Sequence, residues 1–184
     1  MSKAIGSRYS IENSAEAEEF YHYVKDLLDS EIVCEMKKYR HHYSTTCYQH
    51  CLNVSYYNYL VCRKLGLDAK KAARAGILHD LFLYDWRETP RKKGEKPHGM
   101  RHPQIALENA LQNFDISKRE EDMIVKHMWP LTLKLPRYAE SYVIVMTDKY
   151  AAMLELGNHF RDKLKDLRQR GENAIKGNVV RKAS

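Results

Sequence analysis

Apolar residues recur at helical spacing along nearly the whole chain. Phe20, Tyr23, Val24 and Leu27 form one stripe, and Asn13 with Glu16 supplies the start signal for a first helix. A short segment follows around "SEIVCEMKKY". The long pattern from Thr45 to Leu65 is stopped by Gly66, as expected just beyond a helix C-terminus. Asp68 starts a further helix, "DAKKAARAGILHD", in which Ala72, Ala75 and Leu78 permit close packing. The Pro/Gly-rich stretch from Tyr84 to Arg101 predicts a long loop, and long loops in compact domains are usually functional. "HPQIALENALQNF" predicts a helix with Pro103 in its first turn, and Ser117 with Glu120 forms a capping box for "SKREEDMIVKHMW". After the Pro130–Pro136 break, "RYAESYVIVMTDKYAAMLEL" predicts a long helix ending near Gly157. "YVIVM" alone would suit a strand, but its flanks are helical. The expected fold class is all-α, a helical bundle.

Several polar residues interrupt these apolar patterns. His50 precedes Val54, Tyr57 and Val61 on one helix, and His79–Asp80 closes the next. His102 opens the helix after the loop, His127 ends "DMIVKHMW", and Asp148 sits inside "YVIVMTDKYAAM". A buried carboxylate or imidazole costs several kcal/mol unless it is paired. Each residue alone could be a hydrogen-bonded core group, and Lys149 or Lys126 could pair with Asp148. One shared site explains them together. A nitrogen/oxygen donor set of this kind suits first-row ions such as Fe, Mn or Zn, and five segments exceed the needs of one ion. The run "CYQHC" raises a second arrangement, zinc on Cys47, His50 and Cys51, but no complementary CxxC completes it.

Composition narrows the setting. With 184 residues, 43% apolar and 30% charged, the chain suits one globular domain with a real core. No apolar run approaches the roughly 20 residues needed to span a bilayer. Cys34, Cys47, Cys51 and Cys62 sit inside helical patterns, so a reduced, cytoplasmic protein is expected. The net charge of +7 is concentrated in two places. The tail from Arg161 to Ser184 carries eight Lys/Arg against three Asp/Glu and lacks interleaved aromatics, so it reads as a solvated, fraying helix rather than a nucleic-acid arm. The basic loop "RETPRKKGEKPHGMRHP" lies beside the polar residues above.

The order His50, His79–Asp80, Asp148 resembles the H…HD…D signature of the HD superfamily of metal-dependent phosphohydrolases, over roughly Thr45 to Glu155. "RHPQIALENA" and "IVKHMW" are similar to its two-metal branch, which includes cyclic dinucleotide phosphodiesterases and bacterial HD-type dinucleoside tetraphosphate hydrolases. The resemblance implies two divalent transition-metal ions, Fe or Mn foremost, with Zn, Ni, Co or Mg compatible. His50, His79, Asp80 and Asp148 would hold one ion and His102 and His127 the second, with Asp80 bridging both as the central catalytic carboxylate.

The chain departs from the family in having Leu83 where many members have a phosphate-binding lysine, and in lacking a "GYP" segment. His98, Arg101 and Lys149 are the replacement candidates for phosphate contact, and His42, Trp86 and Trp129 are candidate pocket walls. The expected organisation is an N-terminal helical segment over 1–44, the HD domain over 45–157 and a basic helical tail over 158–184. The expected activity is hydrolysis of a nucleotide or other small phosphorylated metabolite by activated water. A two-iron oxygenase and a nucleotide-binding regulatory module without turnover are the alternatives. No membrane partner is expected, and a homodimer is left open.

Overall fold

The computed structural model describes residues 4, 15–41, 45–91 and 93–182, with side chains as far as residue 170. The described chain is helical: α1 (Ala15–Leu28), α2 (Glu31–Glu35) running into a 3-10 turn (Met36–Lys38), α3 (Cys47–Lys64), α4 (Ala69–Leu78), α5 (His98–Asn113), α6 (Lys118–Lys126) and α7 (Ala139–Lys182). No strand occurs among the described residues beyond a single antiparallel bridge between Arg40 and Thr46. No described helix is long and apolar enough to cross a membrane.

Most helix ends lie where the local chemistry places them. Thr46 caps α3 by accepting from the Gln49 N–H, and Asp68 caps α4 by accepting from the Lys71 N–H. Ser117 and Glu120 form the expected capping box at α6. Gly66 takes a positive φ of 68°, a conformation that lets the chain leave α3 without the Cβ clash other residues would suffer. The proposed Asn13 cap lies outside the described residues.

Two boundaries differ from expectation. α5 begins at His98, so His102 and Pro103 stand inside it rather than opening it. Pro103 removes the intrahelical bond to the Gly99 carbonyl, and α5 keeps its course because His102, Pro103, Ala106, Leu107 and Ala110 are buried along one face. α7 does not end near Gly157 but runs on to Lys182, since a glycine ends a helix only where a neighbouring contact favours leaving it.

The core is built on α3, which packs most extensively against α4 and then α7. Phe20 and Leu27 of α1, Tyr59 of α3, Ile77 and Leu78 of α4 and Ile144 of α7 are fully buried. The α3–α4 approach is set at one point. A Cβ built on Gly76 would lie 2.4 Å from Ser55 Cα and 2.8 Å from Ser55 N. Beside it Ser55 Oγ donates to the Ala73 carbonyl at 2.6 Å and Asn58 Nδ2 to the Ala72 carbonyl at 2.8 Å. These bonds tie α3 to carbonyls that α4 has already used once, so the two backbones cannot separate without unpairing buried groups. Gly76→Ala is therefore expected to destabilise the protein by about 1–3 kcal/mol, read as a lower melting temperature in thermal denaturation.

Candidate metal centre

The α3–α4 contact brings His50 and His79 to one end of the bundle, and the chain leaves α4 through His79 and Asp80. Asp80 is only 2% exposed. Around its carboxylate stand four imidazoles from four parts of the chain. Oδ2 lies 2.6 Å from His41 Nε2 and 3.6 Å from His79 Nε2. Oδ1 lies 3.0 Å from His102 Nε2 and 3.5 Å from His127 Nε2. The two oxygens thus face different pairs of rings. Asp148 enters from α7, its Oδ1 3.1 Å from His50 Nε2 and 3.9 Å from His79 Nε2. The backbone of Asp80 is fixed as well, by the Cys47 thiol donating to its carbonyl at 3.2 Å.

The outer ring nitrogens are anchored in one pattern. Nδ1–H of His79 donates to the Gly76 carbonyl at 2.9 Å, that of His102 to the His98 carbonyl at 3.0 Å, and that of His127 to the Ile124 carbonyl at 2.8 Å. His50 Nδ1 instead meets the buried Glu155 carboxylate at 3.0 Å, and Asn53 Nδ2 holds Glu155 at 2.9 Å. With Nδ1 committed outward, each Nε2 faces the centre and offers its lone pair there once its proton has been displaced, the arrangement by which proteins orient metal-binding histidines. His102 Nε2 and His127 Nε2 face each other at 2.8 Å. Two lone pairs at that distance repel unless a cation, proton or metal, sits with them. His79 Nε2 is buried and makes no hydrogen bond. His41/His50/Asp80, His50/His79/Asp148 and His79/Asp80/His127 each bring their donor atoms within 4.8 Å of one another, so the donor set fits divalent ions.

Electrostatics follow from the crowding. Burial alone would raise the Asp80 carboxyl, but the His79, His102 and His41 rings around it hold it well below the usual carboxylate range. Burial likewise opposes ionisation of Asp148, and the His50 contact reverses it, leaving that carboxyl depressed too. Burial would lower His50, yet Asp148 and Glu155 raise it well above its ordinary value. His79 is pushed up to about 9, mainly by Asp80 against the effect of burial. Burial takes His127 down to about 3 and His98 to about 4, with the neighbouring His102 adding to the latter.

The six residues singled out as ligand candidates therefore converge. A cavity of about 460 Å³ opens onto four of them, Asp80, His102, His127 and Asp148, and is lined besides by Trp86, His98, Met128 and Lys149. Lys149 also donates to the Val145 carbonyl of its own helix at 3.2 Å. His98 reaches the cavity as a neutral ring, stacked between Trp86 and His102 and bonded to Tyr84 Oη at 3.0 Å. Two expected members do not join. Arg101 is turned to Glu95 at 2.5 Å and borders a separate cavity of about 650 Å³, because its place on α5 points it away from His102. Trp129 packs edge-on against Tyr142, not against the site. Nor do Cys47 and Cys51 share a centre with His50, whose ring nitrogens are taken by Asp148 and Glu155. His42 lies outside the described residues.

His41 and Glu155 were not anticipated. His41 stacks on His50 at 4.0 Å, and only the doubled histidine in "RHHYSTT" hinted at it. Glu155 follows Asp148 by two helical turns in "TDKYAAMLEL", a second carboxylate on the same inward face.

Residues 47–167 match the HD domain family. Ribonuclease Y of Geobacter metallireducens, of Geobacter sulfurreducens and of Geotalea uraniireducens is each 48% identical to the chain over 44 residues. That stretch is 24% of this chain and 8% of each relative, so the chain spans a small part of those proteins' length. No solved structure matches the chain.

Bound metal displaces ring protons, so its affinity is expected to rise with pH and to level off only above about 9, where His79 has become neutral. The metal-free protein moves the other way. A histidine raised from 6.5 to about 9 contributes stability fully below the lower value and loses it as pH climbs through the higher. Calorimetric titration of metal in buffers of differing ionisation enthalpy, beside thermal melts of the metal-free protein, checks both signs.

Glu155→Gln keeps the shape but removes the charge behind His50. It is expected to weaken metal binding by roughly 10–100-fold, measured by chelator competition.

Proposed function

The chain belongs to the HD domain family, metal-dependent phosphohydrolases as a superfamily, and we propose that it hydrolyses a nucleotide or other small phosphorylated metabolite at a dinuclear centre joined by Asp80. The observation that carries this reading is the pairing of rings about one carboxylate: His102 and His127 with Oδ1, and His41 and His79 with Oδ2. Asp80 would be shared between two ions, His50, His79 and Asp148 helping to hold one and His102 and His127 the other.

Divalent ions held there, iron or manganese foremost, would supply Lewis acidity at a phosphoryl oxygen and a water ionised near neutral pH. The chain's own residues do the rest. Asp80 and Asp148 remain ionised throughout the neutral range and hold the rings in register. His98, neutral and with Nδ1 bonded to Tyr84, can offer its remaining N–H to a phosphate oxygen at the cavity wall. Lys149 at the same cavity supplies the positive charge that Leu83 cannot, and a point charge on a flexible stem suits phosphate. Trp86 is stacked on His98 and also carries the Arg87 guanidinium over its ring at 5.2 Å, contacts that suit a cavity wall better than a platform for a base. With four free thiols, three of them buried, a reducing cytoplasmic setting belongs to the same proposal.

The decisive experiment loads the protein with Mn²⁺ or Fe²⁺ and assays phosphomonoesters, dinucleoside polyphosphates, cyclic dinucleotides and short RNA, the last because the relatives are named ribonucleases. Turnover of a phosphate compound is expected, and Asp80→Asn should lower it by at least about 100-fold. His102→Ala should reduce bound metal from about two ions per chain to about one. A fully loaded protein that hydrolyses none of these overturns the proposal. Oxygen consumption with Fe²⁺ that Mn²⁺ does not restore would replace hydrolysis with oxygenation.

A further inference from the structure

Helix α7 has two seams, one packed on the body and one turned largely away from it. Ile144, Asp148, Ala151 and Glu155 turn inward to the core and the metal centre. On the far side Met146, Tyr150, Met153, Phe160, Leu164 and Leu167 are all exposed, Met153 by 70% and Leu164 by 66%, although the inner edge of Tyr150 also rests on Tyr57 of α3. With Gly157 among them, these positions are separated alternately by four and three residues. Single exposed leucines carry no information, but a row repeated along one face does, even with Gly157 leaving one of its positions without a side chain. A strict 3.5-residue period is the seam of a two-stranded coiled coil, here roughly 30 Å long. From residue 161 to 170 every described side chain is exposed, so the body does not cover this part of the seam.

The flanks say what could cover it. Beyond Gly157 the positions bordering the row are Arg161, Lys163, Arg168 and Arg170, and none is acidic. Asp162 and Asp166 fall on the outer side of the helix, away from the row. Two copies lying seam to seam would set these cations against one another, whereas Glu or Asp at the partner's flanking positions would pair with them. The row is also narrow, two apolar positions per heptad. Helices that lie in a bilayer surface instead bury a broad apolar face.

We propose that the outer face of α7, from Met146 to Leu167, is the docking seam for an acidic amphipathic helix of another protein, which completes a two-stranded coiled coil. The proposal is independent of the metal chemistry.

The test uses the full metal-loaded chain and two synthetic three-heptad peptides. Both carry leucine along the seam, and they differ in having Glu or Lys at the flanking positions. The Glu peptide is expected to bind at least about tenfold more tightly at low salt, with the advantage shrinking as salt rises. The double variant F160D/L164D should abolish binding of either peptide. The variant R161E/K163E/R168E/R170E keeps the apolar row and should invert the preference, which decides the matter even if the double variant unwinds the helix. Failure of the Glu peptide to bind, equal binding of the two peptides, a dimer of the peptide-free chain in sedimentation equilibrium, or preference for phosphatidylserine vesicles over the Glu peptide each overturns the proposal.

Discussion

The whole arrangement depends on burying one carboxylate. Asp80 lies in the interior, where an unpaired charge would cost many times what a single hydrogen bond returns. Only a ring of cationic or proton-donating groups makes that tolerable, and the chain supplies four imidazoles from four separate segments. Bringing them together fixes the topology around α3 and α4. The Gly76–Ser55 approach sets where His50 and His79 meet, α5 and α6 bring His102 and His127, and α7 closes the centre with Asp148. In the metal-free chain ring protons balance the carboxylates. Metal ions are the stronger and more directional solution to the same electrostatic demand.

The imidazoles also solve a problem of the helices. An α-helix leaves its last carbonyls without intrahelical donors, and α4 and α6 both end beside the centre. His79 and His127 stand at those ends, and each returns its Nδ1–H to a carbonyl three residues back. One bond thus satisfies a helix terminus, selects the ring tautomer and aims Nε2 inward. His102 fixes its tautomer and direction from within α5 through the His98 carbonyl, without serving a helix end. Donor orientation is in this way a by-product of how the helices stop, which explains why ligand candidates cluster at the boundaries of the hydrophobic patterns.

That clustering is what made the centre legible in the sequence. His79–Asp80 at the end of an apolar run and Asp148 inside another stood out because their burial demanded an explanation, and the all-α pattern and most caps followed from local chemistry. What escaped depended on geometry that spacing does not encode. His41 reaches Asp80 from a loop, where no periodicity predicts direction. Glu155 looked like one more acid on a helix until the inward face of α7 was known. Arg101 sits beside His102 on α5, but adjacent residues on a helix point about 100° apart, and Trp129 lies in the turn beyond α6, where the chain has already changed direction, so neighbourhood along the chain is a poor guide. Pro103 and Gly157 resemble boundary signals, yet α5 runs through the proline because its buried face holds it, and α7 runs through the glycine because an exposed glycine costs a helix only about 1 kcal/mol.

Helix α7 joins the two halves of this reading. Asp148 and Glu155 project from one side of it to the centre, and Met146, Tyr150 and Met153 project from the other, within the same two turns. A helix transmits displacement along and about its axis as a nearly rigid body, so the inner carboxylates cannot shift or settle independently of the outer face. Anything seated on that face acts on the element that holds His50 through both ring nitrogens. By linkage, any effect of outer-face binding on metal affinity must be matched by an equal effect of metal on outer-face binding. The coupling can be small, but its sign is set by whether seating a partner holds Asp148 where His50 and His79 already meet it or draws it away.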